Sequence, residues 1–286
     1  MSQAAISPPI TWHADLRRPR RAGEQLIISW NVAGLRGLLR RAPTALAELV
    51  AREQPDMICL QETKLQQRDE AGVEAALNLP GWTCAWNSSG VRLGQAGVAT
   101  LMRQGAAAVD RGPVHSAFAE DGRIIVSRHA QFALVNVYVP NAGDGLKTLS
   151  RRLEDWDPML ADHLARLRRQ GTQVILAGDL NVAPAPLDVH DPRTLVKYAG
   201  FTPEERASFA QHLLGQGLVD AFRHLHPEVR AYTFFSWRGQ GRARSRGWRL
   251  DHFLLSPELM VGLRDCYIMP EVTASDHLPI GLRVAG

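Results

Sequence analysis

The chain has 286 residues, 45% of them hydrophobic and 22% charged, which supplies enough apolar material for a sizeable core and excludes a wholly disordered protein. Its formal net charge of +4 allows a polyanionic partner without requiring one. Cys59, Cys84 and Cys266 are too scattered for a disulfide framework or a cysteine zinc site. No run approaches the roughly 20 apolar residues of a membrane helix, and the start of the chain lacks the apolar core of a secretory signal, so the expectation is a soluble protein of a reducing compartment, acting without a membrane.

Residues 1–24 are polar and proline-rich, carry the cluster Arg17-Arg18-Pro19-Arg20-Arg21 and show no period that would bury a face. They read as a flexible basic tail ahead of a single catalytic unit spanning residues 25–286. From there, short aliphatic and β-branched runs predict strands at 26–32, 57–60, 97–102, 123–127, 132–139 and 174–176, and a second series at 232–237, 248–255, 266–269 and 277–284. Two halves, each supplying one sheet, are the expected arrangement. Helices are predicted at 42–52 and at 149–169, where Leu153, Trp156, Leu160, Leu164 and Leu167 recur at three- and four-residue steps. A third covers 207–214, announced by a capping Thr202, Pro203 and the early acids Glu204 and Glu205. No linker, repeat or low-complexity block interrupts residues 25–286.

Polar residues collect where these strands end, and loops positioned by a rigid sheet are where chemistry concentrates. Asn31, Gln61-Glu62, Tyr138 with Asn141, Asp179 with Asn181, Asp251, and Asp276-His277 all fall at such places. Each alone is an ordinary turn former, cap or hydrogen-bonded side chain. Together they provide oxygen ligands for Mg²⁺ or Mn²⁺, a base and a group to stabilise charge, which is what hydrolysis of an anionic phosphodiester needs. Magnesium takes only one or two protein carboxylates, so Glu62 with Asn31 beside it suffices. Asp179 could activate water and Asn181 orient it, since residues two apart on a strand share a face.

The segments Trp30-Asn31-Val32-Ala33-Gly34-Leu35, Leu60-Gln61-Glu62-Thr63-Lys64, Tyr138-Val139-Pro140-Asn141-Ala142-Gly143, Gly178-Asp179-Leu180-Asn181-Val182-Ala183, Gly247-Trp248-Arg249-Leu250-Asp251 and Ser275-Asp276-His277-Leu278-Pro279-Ile280, with Phe201 to Arg206, carry a resemblance. The chain resembles the exonuclease III family of apurinic/apyrimidinic endonucleases, from about residue 26 to 284. The resemblance implies a DNase I-like, four-layered α/β sandwich of two facing mixed sheets flanked by helices. It also implies metal-dependent cleavage on the 5′ side of abasic sites in double-stranded DNA, together with 3′-to-5′ exonuclease and 3′-end-cleaning activity, by a monomer in the cytoplasm, nucleoid-associated if the cell is bacterial.

Residue by residue, the resemblance makes Glu62 the metal ligand, helped by Asn31 and Asp276, and makes Asp179 the water-activating residue with Asn181 aligning that water. His277, partnered by Asp251, would bind the scissile phosphate, with Tyr138 and Asn141 contacting that phosphate or the departing oxygen. Phe234, Trp248 and Leu250 would form the apolar pocket for a flipped abasic sugar. Lys64, Arg123, Arg238, Arg242, Arg244 and Arg246 would contact DNA, the last four in a basic loop next to Trp237.

Four positions depart from the family pattern. Ala33 stands where an Asn or Asp near the metal is usual, Asp144 where some members place a DNA-entering arginine, and Leu195 and Tyr198 where some relatives have asparagines. Two rivals follow: another phosphoesterase of the same architecture acting on inositol phosphates or sphingomyelin, and a DNA-binding protein that has lost catalysis. The DNA-specific segments oppose the first, and the presence of Glu62, Asp179, Asn181, Asp251 and His277 opposes the second.

Overall fold

The computed structural model describes residues 16–113 and 116–286; the first fifteen residues of the expected tail lie outside the described residues. Twelve strands form among them. They are β1 (Glu24–Asn31), β2 (Met57–Gln61), β3 (Thr83–Asn87), β4 (Val98–Met102), β5 (Ala108–Arg111), β6 (Ile124–Arg128), β7 (Ala133–Tyr138), β8 (Val174–Asp179), β9 (Val219–Asp220), β10 (Asp251–Leu255), β11 (Leu263–Ile268) and β12 (Ile280–Ala285). Seven α-helices accompany them: α1 (Leu35–Arg41), α2 (Ala45–Glu53), α3 (Gln67–Leu77), α4 (Asp157–Arg169), α5 (Pro192–Leu195), α6 (Pro203–His212) and α7 (Ala221–Leu225).

The strands make two six-stranded sheets, ordered β11-β12-β1-β2-β4-β3 and β5-β6-β7-β8-β10-β9. Each is mixed, with β1–β2 and β7–β8 parallel among antiparallel pairs. The expectation of one sheet per half of the chain is corrected here: the last two strands return to the first sheet, where β12 pairs antiparallel with β1. That return brings His277, just ahead of β12, beside the ends of β1 and β2.

Strand alternation explains the layers. In β1, Ile27 faces the second sheet in a core shared with Leu134, Ile175 and Phe253, while Leu26, Ile28 and Trp30 pack on Leu35 and Leu38 of α1, Leu46 and Leu49 of α2 and Val73 and Leu77 of α3. The outer face of the second sheet is covered by Leu160, Leu164 and Leu167 of α4 and Phe209 of α6. The result is the four-layered sandwich, helices outside and two sheets within.

Between the sheets one polar knot interrupts the apolar core. Gln61 Nε2 donates to Asn136 Oδ1 at 2.8 Å and to Ser29 Oγ at 3.0 Å, and Asn136 Nδ2 donates to the Ala99 carbonyl at 2.8 Å. It ties β2 to β7 immediately before Glu62; the Gln61 Nε2 and Asn136 amide groups find partners, whereas Gln61 Oε1 has none among the described residues.

Several elements differ from the sequence reading for physical reasons. The run 232–237 forms only isolated bridges, Phe234 to Trp248 and Phe234 to His277, because its polar backbone serves the site instead of a ladder. The expected helix 149–169 opens with a π-helical turn, Arg151–Trp156, before α4. Edge strand β5 escapes pattern reading since none of its residues is buried. Residues 17–20 do not behave as a free arm: Arg17 pairs with Glu53 at 2.7 Å and Glu271 at 3.0 Å, and Arg20 with Asp56 at 2.9 Å. Among the described residues no helix is long and apolar enough to cross a membrane.

Candidate active site

The ends of both sheets converge on one cluster. In the register of β8 and β10, Asp179 stands opposite Asp251. His277 joins them: Nδ1 lies 2.8 Å from Asp251 Oδ2, and Nε2 lies 3.9 Å from Asp179 Oδ2. Asp179, Asp251 and His277 are all buried and form the one His/Cys/Asp/Glu group among the described residues whose ligand atoms lie within 4.8 Å of one another.

The backbone is built to hold these side chains close. Gly178, at φ +147°, precedes Asp179, and a Cβ there would overlap the Val137 carbonyl oxygen, so only glycine lets β7 approach β8. Thr233 Oγ1 accepts from the Leu250 and Asp251 amides at 3.0 and 3.1 Å, fixing the start of β10. Ser275 Oγ donates to the Asn31 carbonyl at 2.8 Å, and Trp30 Nε1 to the His277 carbonyl at 3.1 Å, which anchors the His277 turn on β1.

Asn31 links the cluster to Glu62. Its Nδ2 donates to Asp179 Oδ2 at 2.9 Å and to Glu62 Oε1 at 3.0 Å, while its Oδ1 accepts from the Ala33 amide at 3.0 Å. Glu62 Oε2 pairs with Lys64 Nζ at 2.8 Å. Lys64 thus borders the acidic cluster, its side chain 41% exposed. Ala33, Glu62, Lys64 and Asn181 all have left-handed φ near +50°, a conformation costly for residues with a Cβ and often found at functional sites. Asp276 is part-exposed, its Oδ1 accepting from Ser275 Oγ at 3.3 Å; it does not join the close group of ligand atoms.

Asn181 does reach Asp179, though by a turn and not by strand alternation. β8 ends at Asp179, and the Asn181 amide N–H donates to Asp179 Oδ1 at 2.9 Å. Asn181 Nδ2 donates to the Val139 carbonyl at 2.9 Å, and its Oδ1 accepts from Asn141 Nδ2 at 2.8 Å. Tyr138, Asn141, Asn181 and Asp179 thus form one connected edge.

The electrostatics follow from burying several acids together. Burial, reinforced by the charges of Asp251 and Glu62, raises the Asp179 carboxyl to about 7 against the opposing pull of His277. Burial alone would depress His277, but the Asp251 and Asp179 carboxylates hold it up at about 10. Glu62 is also desolvated, yet the Lys64 charge and the bonds from Lys64 and Asn31 keep it below the ordinary carboxylate value. Burial and the Glu62 and Asp179 charges push the Tyr138 phenol well above its ordinary value, so it stays a donor. The picture is an imidazolium between the Asp251 and Asp179 carboxylates, with Glu62 paired to the Lys64 ammonium.

That donor set fits a hard divalent cation: the Glu62 and Asp179 carboxylates flank the Asn31 amide, while Cys59 and Cys266 are buried in the core and Cys84 lies on β3. Glu62 would be the principal ligand, with Asn31 adjoining it.

Phe234, Trp248 and Leu250 are brought together with Ala183, Val189, Phe201, Leu195 and Val196 in a small apolar cluster. Phe234 also packs on the His277 ring, centroids 4.8 Å apart, so this apolar wall touches the cluster directly. Of the arginines, Arg238, Arg244 and Arg246 are exposed. Arg242 is pinned back, donating to the Thr273 and Ser275 carbonyls at 3.3 and 3.0 Å, and Arg123 is largely buried, stacked 4.9 Å over Tyr138. Both are held by partners within the protein.

Two buried charge networks escaped the sequence reading. Arg152 donates to the Asn181 and Leu180 carbonyls at 2.6 and 2.8 Å and pairs with Glu205 at 3.0 Å; Glu205 in turn accepts from Gly200 and Thr202. Arg249, between Trp248 and Leu250, pairs with Asp188 at 2.6 Å and Asp220 at 2.8 Å. Partners 61 and 29 residues apart leave no local pattern to find.

Known proteins resemble the chain over most of its length. The profile described as the endonuclease/exonuclease/phosphatase family matches residues 28–277. A DNA-(apurinic or apyrimidinic site) endonuclease of Dictyostelium discoideum is 37% identical over 94% of this chain and 73% of its own length. An exodeoxyribonuclease of Bacillus subtilis is 35% identical, covering 90% of this chain and 98% of that protein. The crystal structure of the AP endonuclease LMAP from Leishmania major superposes with a TM-score of 0.85 at 35% identity, over 93% of this chain and 89% of the other.

Proposed function

The chain belongs to the endonuclease/exonuclease/phosphatase family, and from that membership we propose a DNA-repair nuclease that uses a divalent metal to hydrolyse the phosphodiester 5′ to an abasic site in duplex DNA. Trimming of 3′ ends, as exonuclease and end-cleaning activity, is the companion reaction, in keeping with the exodeoxyribonuclease relative. The protein acts as a monomer in the compartment that holds DNA, the cytoplasm, on the nucleoid if the cell is bacterial.

The observation that carries this reading is the contact of three unlike features: the Asp179–His277–Asp251 cluster, the Glu62–Asn31 pair and the Phe234–Trp248–Leu250 wall. The first two suit hydrolysis of a phosphodiester, and the third suits a base-free sugar turned out of the helix.

Asp179 is the base. Its carboxylate, aligned by the Asn31 and Asn181 amides, takes a proton from water. His277, kept protonated by Asp251, places positive charge where the phosphoryl oxygens become more negative. Tyr138 and Asn141 lie on the same edge, where they can donate to the phosphate or the departing oxygen. Glu62 with Asn31 would hold Mg²⁺ or Mn²⁺, with Asp276 at the rim; the bound ion supplies charge neutralisation at the phosphate. The exposed Arg238, Arg244 and Arg246 grip the duplex beside Trp237, which is 60% exposed and can stack.

The test is cleavage of a duplex with one abasic site, run beside an intact duplex and a phosphoinositide. Metal-dependent nicking of the abasic duplex alone supports the reading, and phosphoinositide hydrolysis without DNA cleavage rejects it.

A further inference from the structure

Next to the catalytic edge lies a cavity of about 370 Å³ that the chemistry above does not use. It shares Tyr138 and Asn141 with the site, and its remaining wall carries Arg92, Arg123 and Arg151. Arg92 and Arg151 are exposed, and the Arg151 guanidinium sits 5.0 Å over the Phe118 ring. Among the described residues lining the cavity, Asp121, 3.5 Å from Arg123 Nε, is the one carboxylate. Three guanidiniums and a single lining carboxylate around one hollow suit an anion.

We propose that this cavity is a second phosphate site, in which Arg92 and Arg151 clasp the backbone phosphate next to the scissile one. The inference rests on the nuclease reading. Tyr138 and Asn141 wall both sites, so a strand with its scissile phosphate at His277 passes its neighbouring phosphate into the cavity. Guanidinium forks match phosphate oxygens, and Arg123 is committed to holding Tyr138, with Nη1 donating to the Tyr138 carbonyl at 3.2 Å. The exposed Val91 and Leu93 flank Arg92 and would lie against the sugars of the same strand. The site gives the chain a grip on the side where Asp144 replaces a basic residue.

The test combines Arg92→Ala, Arg151→Ala and their double variant with abasic duplexes that each carry one uncharged methylphosphonate at a different linkage. In the wild-type, metal-loaded enzyme, one linkage beside the scissile bond costs about tenfold in kcat/KM. In the double variant that same linkage costs nothing further, and log(kcat/KM) falls less steeply with log salt, by about one. Arg92→Lys in the Arg151 wild-type background keeps most of the effect, and unchanged melting temperatures separate it from misfolding. Additive losses at every linkage overturn the proposal. So does a loss confined to strands with a terminal phosphate, which would make the cavity an end-binding site. If the wild type cuts no DNA, the nuclease reading fails by itself, and the same cycle measured as duplex binding still decides the cavity.

Discussion

Asp251 stands opposite Asp179 in the β8–β10 register, and the single imidazole of His277 lies 2.8 Å from the first and 3.9 Å from the second. Two buried carboxylates on adjacent strands are tolerated because one cation sits between them.

Asp251→Asn removes the partner that contributes most to raising His277. His277 titrates at about 10 in the folded protein against an ordinary value of 6.5, so its ionic contribution to stability is complete below about 6.5 and is lost as pH rises through about 10. In the variant this window narrows from the alkaline side. The alkaline limb of the rate profile moves to lower pH, and the His277 ring titration followed by NMR moves with it. An unmoved titration would show that Asp251 does not set the imidazole's charge.

Asp179→Asn keeps the bonds from Asn31 and Asn181 within reach but abolishes the base. The expected loss in kcat is on the order of 10²–10⁴-fold, with abasic-duplex binding retained. The acid limb of the wild-type profile lies at or below about 7, since the carboxyl is raised to that value here and a bound cation can only lower it. Turnover within a factor of two of wild type would remove Asp179 from this role.

Lys64 neutralises Glu62 at 2.8 Å and so competes with any cation for the same carboxylate. Lys64→Met lowers the metal concentration for half-maximal activity several-fold, read from Mg²⁺ and Mn²⁺ titrations, whatever its effect on DNA affinity. An increase would mean that Lys64 assists metal binding.

Arg152 holds the Asn181 and Leu180 carbonyls and pairs with Glu205, both side chains being almost fully buried. Arg152→Met strands the Glu205 carboxylate and costs about 3–5 kcal/mol of stability in chemical denaturation. Adding Glu205→Gln recovers part of that loss.

The strand-end residues of the site were legible in the sequence because each follows an apolar run that must stop at a sheet edge. Phe234, Trp248 and Leu250 were singled out by the family resemblance, since no local pattern marks them as one wall. What the sequence hid is long-range. The return of β11 and β12 to the first sheet has no local signal, and neither do the pairs Gln61–Asn136, Arg152–Glu205 and Arg249–Asp188. Arg123, Arg242 and Lys64 read as surface cations because composition registers charge, while burial and partners appear only in three dimensions. Arg92 and Arg151 were passed over for the converse reason: nothing in their flanking residues marks them, and only the fold brings them to one cavity.

The most direct test of the account is the position of the cut. An abasic duplex labelled at its 5′ end is incubated with the protein and Mg²⁺ or Mn²⁺, with and without EDTA. The account predicts a metal-dependent product ending in a 3′-hydroxyl immediately 5′ of the abasic sugar, absent from the intact duplex and from reactions with EDTA, with any shorter products arising later by 3′-end trimming. Equal cleavage in EDTA, or a cut on the 3′ side of the lesion, would contradict it.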